Sequence, residues 1–330
     1  MTAWRPILSD PPAPTAASPP TVWILTDGKA GDVGPCLGLA EALGAHPRLH
    51  VVPRERSHLA KLADLAGWPA ALPDELAPPW PDLVLACGAP AVPFARAIKR
   101  RAGRRSFVVF LRDPRPPHRG AFDMLWMPAH DGPRGRSIVV TETSPHRIAP
   151  ALLARHRARP PVWAETLPGP RIAVVVGGGP GLDALPDRLE RLLPEAGSFM
   201  MTPSRRTDPA LAARIAAIVG RRPAFVWTGE GDNPYPAMLA LADAIVVTGD
   251  SHNMVSEALA TGRPVLVHEP ATLKNKFRRF LDGLYSRGLI RPFEGRLESY
   301  TYEALDSTKV VADEIARRLE AFRTTGRGGA

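Results

Sequence analysis

Short runs of β-branched and apolar residues alternate along this chain with Ala-, Leu- and Arg-rich stretches of helical spacing. That alternation marks a parallel sheet flanked by helices. Strands are expected at 21–26, 49–53, 82–87 and 106–111, with weaker signals at 123–127 and 137–141. Helices are expected at 35–43 and 91–101. A proline-rich stretch at 159–170 resists helix and central strand alike and reads as a linker. The rhythm then restarts, with strands at 171–176, 198–202 and 224–228 and helices near 183–193 and 208–219. A strand–helix–strand segment at 246–267 and a final helix at 302–323 complete the pattern. The expected fold class is α/β, with two Rossmann-like doubly wound domains in tandem. Residues 21–158 make the first domain and 171–300 the second, with a disordered Pro-rich tail at 1–20 and a terminal helix and tail at 301–330.

Such sheets bind ligands at the carboxyl ends of their strands, so the loops there carry the candidate chemistry. Thr248-Gly249-Asp250-Ser251 ends an apolar run and opens a short helix containing Glu257. Free N–H groups and the helix dipole at that start suit a phosphate. Glu257, two turns further in, suits ribose or sugar hydroxyls. Gly249, Asp250, Ser251 and Glu257 together read as a nucleotide-type pocket. Gly177-Gly178-Gly179-Pro180 follows another strand, and a ligand cradle at Gly178 and Gly179 and a structural turn are equally supported. It lacks the spacing of the dinucleotide fingerprint. Ser204-Arg205-Arg206-Thr207 precedes a helix, where two guanidiniums suit a diphosphate clamp and solvated arginines are the alternative. The turn-rich segment at 228–235 fits a base or sugar pocket and an ordinary turn alike.

In the first half, Thr26-Asp27-Gly28-Lys29-Ala30-Gly31-Asp32 joins the first strand to the first helix. Gly28, Lys29 and Gly31 are candidates to face a substrate, and Asp27 or Asp32 is the candidate general base. Arg112, Asp113 and Arg115 form either a turn with an internal ion pair or a substrate clamp. His130 and Asp131 are adjacent, which denies them triad geometry and favours a positioning role.

Composition narrows the partners. The 330 residues are 45% hydrophobic and carry a net charge of +9, from 42 basic and 33 acidic residues. Only six of the basic residues are Lys, and the arginines are scattered without an aromatic-interleaved stripe. No specific nucleic-acid binding is expected; an anionic substrate, a peripheral membrane contact or a lipid acceptor fits the charge. There is no secretory signal and no apolar run of about 20 residues, so a cytoplasmic protein is expected. Cys36 and Cys87 are too few for a zinc site and read as buried, reduced thiols. Hydrolase, zinc-protease and Asp-x-Asp metal motifs are absent, so no metal is expected.

Val255-Ser256-Glu257-Ala258-Leu259-Ala260-Thr261-Gly262-Arg263-Pro264 resembles the donor-site segment of GT-B glycosyltransferases. Over residues 21–290 the chain more closely resembles the mitochondrial fission family named for elongated mitochondria. The motifs are Thr26-Asp27-Gly28-Lys29-Ala30-Gly31-Asp32, Asp113-Pro114-Arg115, Pro128-Ala129-His130-Asp131, Ser204-Arg205-Arg206-Thr207, Asp232-Asn233-Pro234-Tyr235 and Thr248-Gly249-Asp250-Ser251. The resemblance implies a GT-B architecture with an interdomain cleft. The second domain would bind a nucleotide-sugar, UDP being the favoured nucleotide, and the first would bind the acceptor, with no further cofactor. It also implies that Glu257 meets donor hydroxyls, while Gly249, Asp250, Ser251 and Arg205 or Arg206 hold the diphosphate. The loop from Gly28 to Asp32 would face the transfer centre. Many retaining members carry a second Glu eight residues before the position of Glu257, where this chain has Gly249. Inverting-type glycosyl transfer is therefore expected first. A nucleotide-sugar epimerase and a non-catalytic, membrane-recruited adaptor are the alternatives.

Overall fold

The computed structural model describes residues 19–54, 70–132 and 134–327, so the expected tail at 1–20 lies almost wholly outside them. Two parallel six-stranded sheets are present. The first contains β1 (Val22–Thr26), β2 (Arg48–Val51), β3 (Leu83–Cys87), β4 (Phe107–Leu111), β5 (Met124–Pro128) and β6 (Ile138–Thr141), in the order β2-β1-β3-β4-β5-β6. The second contains β7 (Arg171–Val176), β8 (Ser198–Pro203), β9 (Ala224–Val226), β10 (Ala244–Thr248), β11 (Val265–His268) and β12 (Arg291–Pro292). Its order is β12-β11-β10-β7-β8-β9. The central strands are buried end to end because helices cover both faces, which is why they read as unbroken apolar runs rather than alternating ones.

The helices are α1 (Ala30–Ala42), α2 (Val92–Ala102), α3 (Pro150–Ala158), α4 (Leu185–Leu192), α5 (Pro209–Val219), α6 (Tyr235–Leu241), α7 (His252–Leu259), α8 (Asn275–Ser286) and α9 (Ser307–Arg327). α2, α4, α5 and α7 fall at expected positions, α1 and α9 differ in their starts, and α3, α6 and α8 have no counterpart among the expected helices. α1 begins at Ala30, upstream of Pro35, because the proline falls early enough that only the carbonyl of Gly31, four residues back, loses a donor. Thus the Gly31–Asp32 part of the expected loop is the helix's first turn. α9 begins at Ser307, where Asp306 accepts from the Lys309 N–H at 2.8 Å and caps the helix.

The chain crosses between the two sheets twice. After β6 it passes to α3, whose Leu153 joins Met238 and Leu241 of α6 in the core of the second unit. After β12 it returns, and Val311, Ala312, Ile315 and Leu319 of α9 pack with Ile24, Leu39 and Leu85 under the first sheet. The two crossings are bonded to each other. Thr143 Oγ1 lies 2.6 Å from Ser307 Oγ, and Thr308 Oγ1 receives the His146 N–H and donates to the His146 carbonyl, both at 2.8 Å. Cys36 and Cys87, far apart in sequence, are both fully buried in the core beneath the first sheet.

α1 lies directly against the first crossing. A Cβ on Gly38 would collide with the His146 carbonyl, which is backbone and cannot rotate away. Gly38→Ala is therefore expected to destabilise the protein by about 1–3 kcal/mol in denaturant titrations, as overpacking does. A change below about 0.5 kcal/mol would show that α1 does not pack on the crossing this closely.

Candidate functional site

Each sheet has a point where strand order reverses, and ligands bind in the crevice there. In the second sheet this point lies between β7 and β10, so the loop carrying Gly177–Gly179 and the turn carrying Gly249–Ser251 sit side by side. One carboxylate joins them. Asp250 accepts from the Gly179 N–H at 2.6 Å and from Thr248 Oγ1 at 2.6 Å, while Thr248 Oγ1 accepts from the Gly177 N–H at 2.7 Å. The glycines are required because a Cβ on Gly177 or Gly179 would run into Asp250, and one on Gly178 into Arg206. Gly249 is equally confined, by Leu281 of α8. The expectation that Asp250 holds a diphosphate is corrected by this arrangement: its oxygens are spent on the glycine loop, and an anion would repel a phosphate. Gly178 and Gly179 serve that same packed turn.

Ser251 caps α7, accepting the Met254 N–H at 3.4 Å. Ser204 and Thr207 also have local work. The Thr207 hydroxyl accepts the Ser204 N–H at 2.8 Å and reaches the Gly177 carbonyl at 2.8 Å, tying the 204–207 loop to the glycine loop. Of the two arginines, Arg206 lines the cavity and Arg205 is exposed outside its lining.

That cavity, about 270 Å³, lies between the two units. The first unit supplies Gly31, Arg112, Trp126, Pro128 and His130; the second supplies Arg206, Asp250, Ser251, His252, Asn253, Lys276 and Phe277. The units meet on the carbonyl that Pro35 leaves free: Gly31 O accepts from Asn253 Nδ2 at 3.1 Å and from Arg112 Nη2 at 3.4 Å. Arg112 holds a left-handed backbone (φ 80°), unusual for a side chain of its size, and lies 3.5 Å from the Asp32 carboxylate. Asp131 closes the junction from the other side, 2.7 Å from Lys276 and 3.6 Å from Arg279. Arg287 also pairs with Glu142 across it.

Several expected residues lie away from the cavity. Asp27 is buried beneath an ion pair with Lys29 at 2.5 Å and Arg54 at 3.3 Å, and Gly28 makes the left-handed turn between them (φ 80°). Asp32 faces inward, accepting from the Cys87 thiol at 3.4 Å. Neither Asp borders the cavity. Asp113 is held by both ends of the Arg119 guanidinium, at 2.8 and 2.6 Å, and accepts the Arg115 N–H. This is a turn with an ion pair, and the partner is Arg119 rather than Arg115.

Six cavity residues were not among the expected site residues: Trp126, Pro128, His252, Asn253, Lys276 and Phe277. His252 and Asn253 were visible in the motif, at the first positions of α7, but Lys276 and Phe277 follow from α8 folding over the junction. The His130 and His252 rings lie 5.0 Å apart, tilted by 57°, and both meet Phe280 at a tilt, at 5.1 and 4.0 Å. Burial pushes His130 down to about 4, with Asp131 opposing and Lys276, Arg279 and Arg112 reinforcing the fall. Burial, then the neighbouring His130, Arg112 and Lys276, holds His252 well below the ordinary range. Both rings are therefore neutral at pH 7. Both nitrogens of His130, Nε2 of His252 and Oδ1 of Asn253 are buried without a partner. An unsatisfied buried polar group costs roughly 1–3 kcal/mol, so such a cluster is retained against stability.

Glu257 lies deeper in α7, outside the cavity lining, and accepts from the Tyr235 hydroxyl at 2.9 Å. Burial raises its carboxyl to about 7, against the hydrogen bond from Tyr235, which lowers it.

Two parallel sheets with a cavity between the units and a capped helix pointing into it make a GT-B-type fold. A Listeria monocytogenes structure assigned as a UDP-N-acetylglucosamine 2-epimerase superposes with a TM-score of 0.51 at 12% identity, covering 92% of this chain and 97% of that one. Acinetobacter baumannii MurG superposes at 0.49 with 16% identity, covering 94% and 96%. The family model for mitochondrial fission ELM1 matches residues 30–319, and the chain belongs to that family. The mitochondrial fission protein ELM1 of Arabidopsis thaliana is 32% identical over 279 residues, 73% of this chain and 64% of its own length. The chain thus spans less than two thirds of that relative.

The buried Glu257 makes a pH prediction. Its folded pKa of about 7 lies above the ordinary value of 4.5, so the folded state binds the extra proton and stability is lost as pH rises from 4.5 to 7. Glu257→Gln is expected to gain stability relative to wild type across that window, by on the order of 2 kcal/mol at neutral pH. Urea midpoints that shift with pH in parallel for the two proteins would refute the raised pKa.

Proposed function

We propose that this chain binds a nucleoside diphosphate sugar in the junction cavity and transfers the glycosyl group to an acceptor without a metal ion. One observation carries the reading: the cavity lies at the switch point of the second sheet, with the start of α7 and the Arg206 side of the 204–207 loop on its wall. Arg206 makes no ion pair among the described residues, so its charge is free for a ligand. The helix start adds oriented N–H groups and the positive end of its dipole. Together they suit a departing diphosphate, whose charge grows in the transition state of glycosyl transfer. A UDP-like nucleotide is the favoured carrier.

In this reading the carboxylates position rather than bind. Asp250 shapes the glycine loop, and Asp32 steadies Arg112. Asp27 and Asp32, held in their own ion pairs, set the first-unit loop, and the proton that the acceptor loses passes to water. Glu257, its carboxyl raised by burial to about 7 and held by Tyr235, lies deeper in α7 outside the cavity wall and supports that helix rather than meeting the ribose.

Calorimetry with UDP tests the proposal. Binding with a dissociation constant in the micromolar to low-millimolar range is expected, and Arg206→Ala is expected to weaken it about tenfold, equivalent to about 1.4 kcal/mol. No binding of UDP, ADP or GDP at millimolar concentration sinks the reading and favours the adaptor. An isomerised nucleotide-sugar released without acceptor assigns the epimerase instead.

A further inference from the structure

Three residues at the junction hold polar atoms that the fold itself does not use. The His130 side chain is only 5% exposed and both its ring nitrogens lack a hydrogen-bond partner, Nε2 lying 4.0 Å from the Asp131 carboxylate. His252 Nε2 and Asn253 Oδ1 are likewise buried and unpartnered, and all three residues line the same cavity.

Hydrogen bonding fixes what two of them offer. Ser144 Oγ lies 2.6 Å from His252 Nδ1. Ser144 is fully buried and its hydroxyl hydrogen has no other acceptor among the described residues, so the hydroxyl donates to Nδ1. The ring's proton is then on Nε2, which makes that nitrogen a donor. Asn253 is oriented by its own donation to the Gly31 carbonyl, since an amide oxygen there would oppose another oxygen. Its free atom, Oδ1, is an acceptor. The His130 ring is committed to neither role, and reversing it breaks no hydrogen bond.

A fixed donor, a fixed acceptor and an uncommitted imidazole, none of them charged, match groups that both donate and accept. Phosphate oxygens only accept, and Asn253 Oδ1 would repel them. Hydroxyls do both. We infer that His130, His252 and Asn253 recognise the neutral, hydroxyl-bearing sugar of the ligand, beside the Arg206 side that takes the diphosphate. This rests on the proposed nucleotide-sugar reading and adds to it which wall of the cavity the sugar occupies.

The experiment compares UDP with UDP-glucose by calorimetry in wild type, His252→Phe and His130→Phe. The wild type is expected to bind UDP-glucose at least tenfold more tightly than UDP, and each variant to reduce that ratio to within threefold of one. A wild-type ratio near one, or a ratio unchanged by both substitutions, overturns the inference. Imidazole nitrogen NMR on the wild-type chain covers variants that fail to fold. UDP-glucose is expected to shift the His130 and His252 ring resonances and UDP to leave them unmoved. Equal shifts with both overturn the inference while keeping nucleotide binding. If neither nucleotide binds, the nucleotide reading fails separately, and the same resonances are followed with free glucose at millimolar concentration. Shifts then keep the hydroxyl assignment, and unmoved rings end it.

Discussion

Pro35 cannot donate a backbone hydrogen bond, and the junction of this molecule is organised around the acceptor that it leaves over. The Gly31 carbonyl, at the first turn of α1, receives the Asn253 amide from the second unit and the Arg112 guanidinium from its own. A buried carbonyl without a partner is expensive, so the two units are held in register where α1 and α7 approach. Several properties of the cavity follow. The same hydrogen bond orients the Asn253 amide, and Arg112 is drawn between Gly31 and Asp32 at the price of a left-handed backbone. A proline that weakens one helix locally thereby specifies a contact between domains.

Charge is sorted by the same economy. The carboxylates near the junction are engaged by the protein itself: Asp250 by the Gly179 N–H and the Thr248 hydroxyl, Asp27 by Lys29 and Arg54, Asp32 by Arg112, and Asp131 by Lys276 and Arg279. The cavity wall then holds Arg206, which makes no ion pair among the described residues, together with Arg112, Lys276 and Asp250, already engaged with protein partners, the start of α7 and uncharged imidazole and amide groups. Such a lining attracts an anion at one side and tolerates neutral polar groups at the other. Desolvation, rather than any single ion pair, is the first cause of the low imidazole pKa values and the raised Glu257 carboxyl.

The strands were legible because burial on both faces writes them as continuous apolar runs, as at Leu83–Cys87 and Ala244–Thr248. The glycine and Thr-Gly-Asp-Ser turns were legible as turns, and their place at a switch point follows from strand order. Their roles were less legible. Nothing local distinguishes an Asp that faces a ligand from one engaged by its own protein: Asp250 accepts the Gly179 N–H and the Thr248 hydroxyl, and Asp32 the Cys87 thiol beside Arg112. Lys276 and Phe277 carry no motif and reach the cavity only through the packing of α8 over Gly249. The start of α1 was missed because a helix-interior proline is normally a stop signal, and here its disfavoured contact falls in the first turn.

The paired crossings have a mechanical consequence. Two unconnected linkers would let the halves twist, slide and splay independently. Here both passages are stitched together through Thr143, Ser307, His146 and Thr308, and α1 is seated on them at Gly38. They act as one pin through a door rather than two loose straps. Ser144, on the first crossing, also reaches His252 on the cavity wall, so the seam and that wall are packed as one unit.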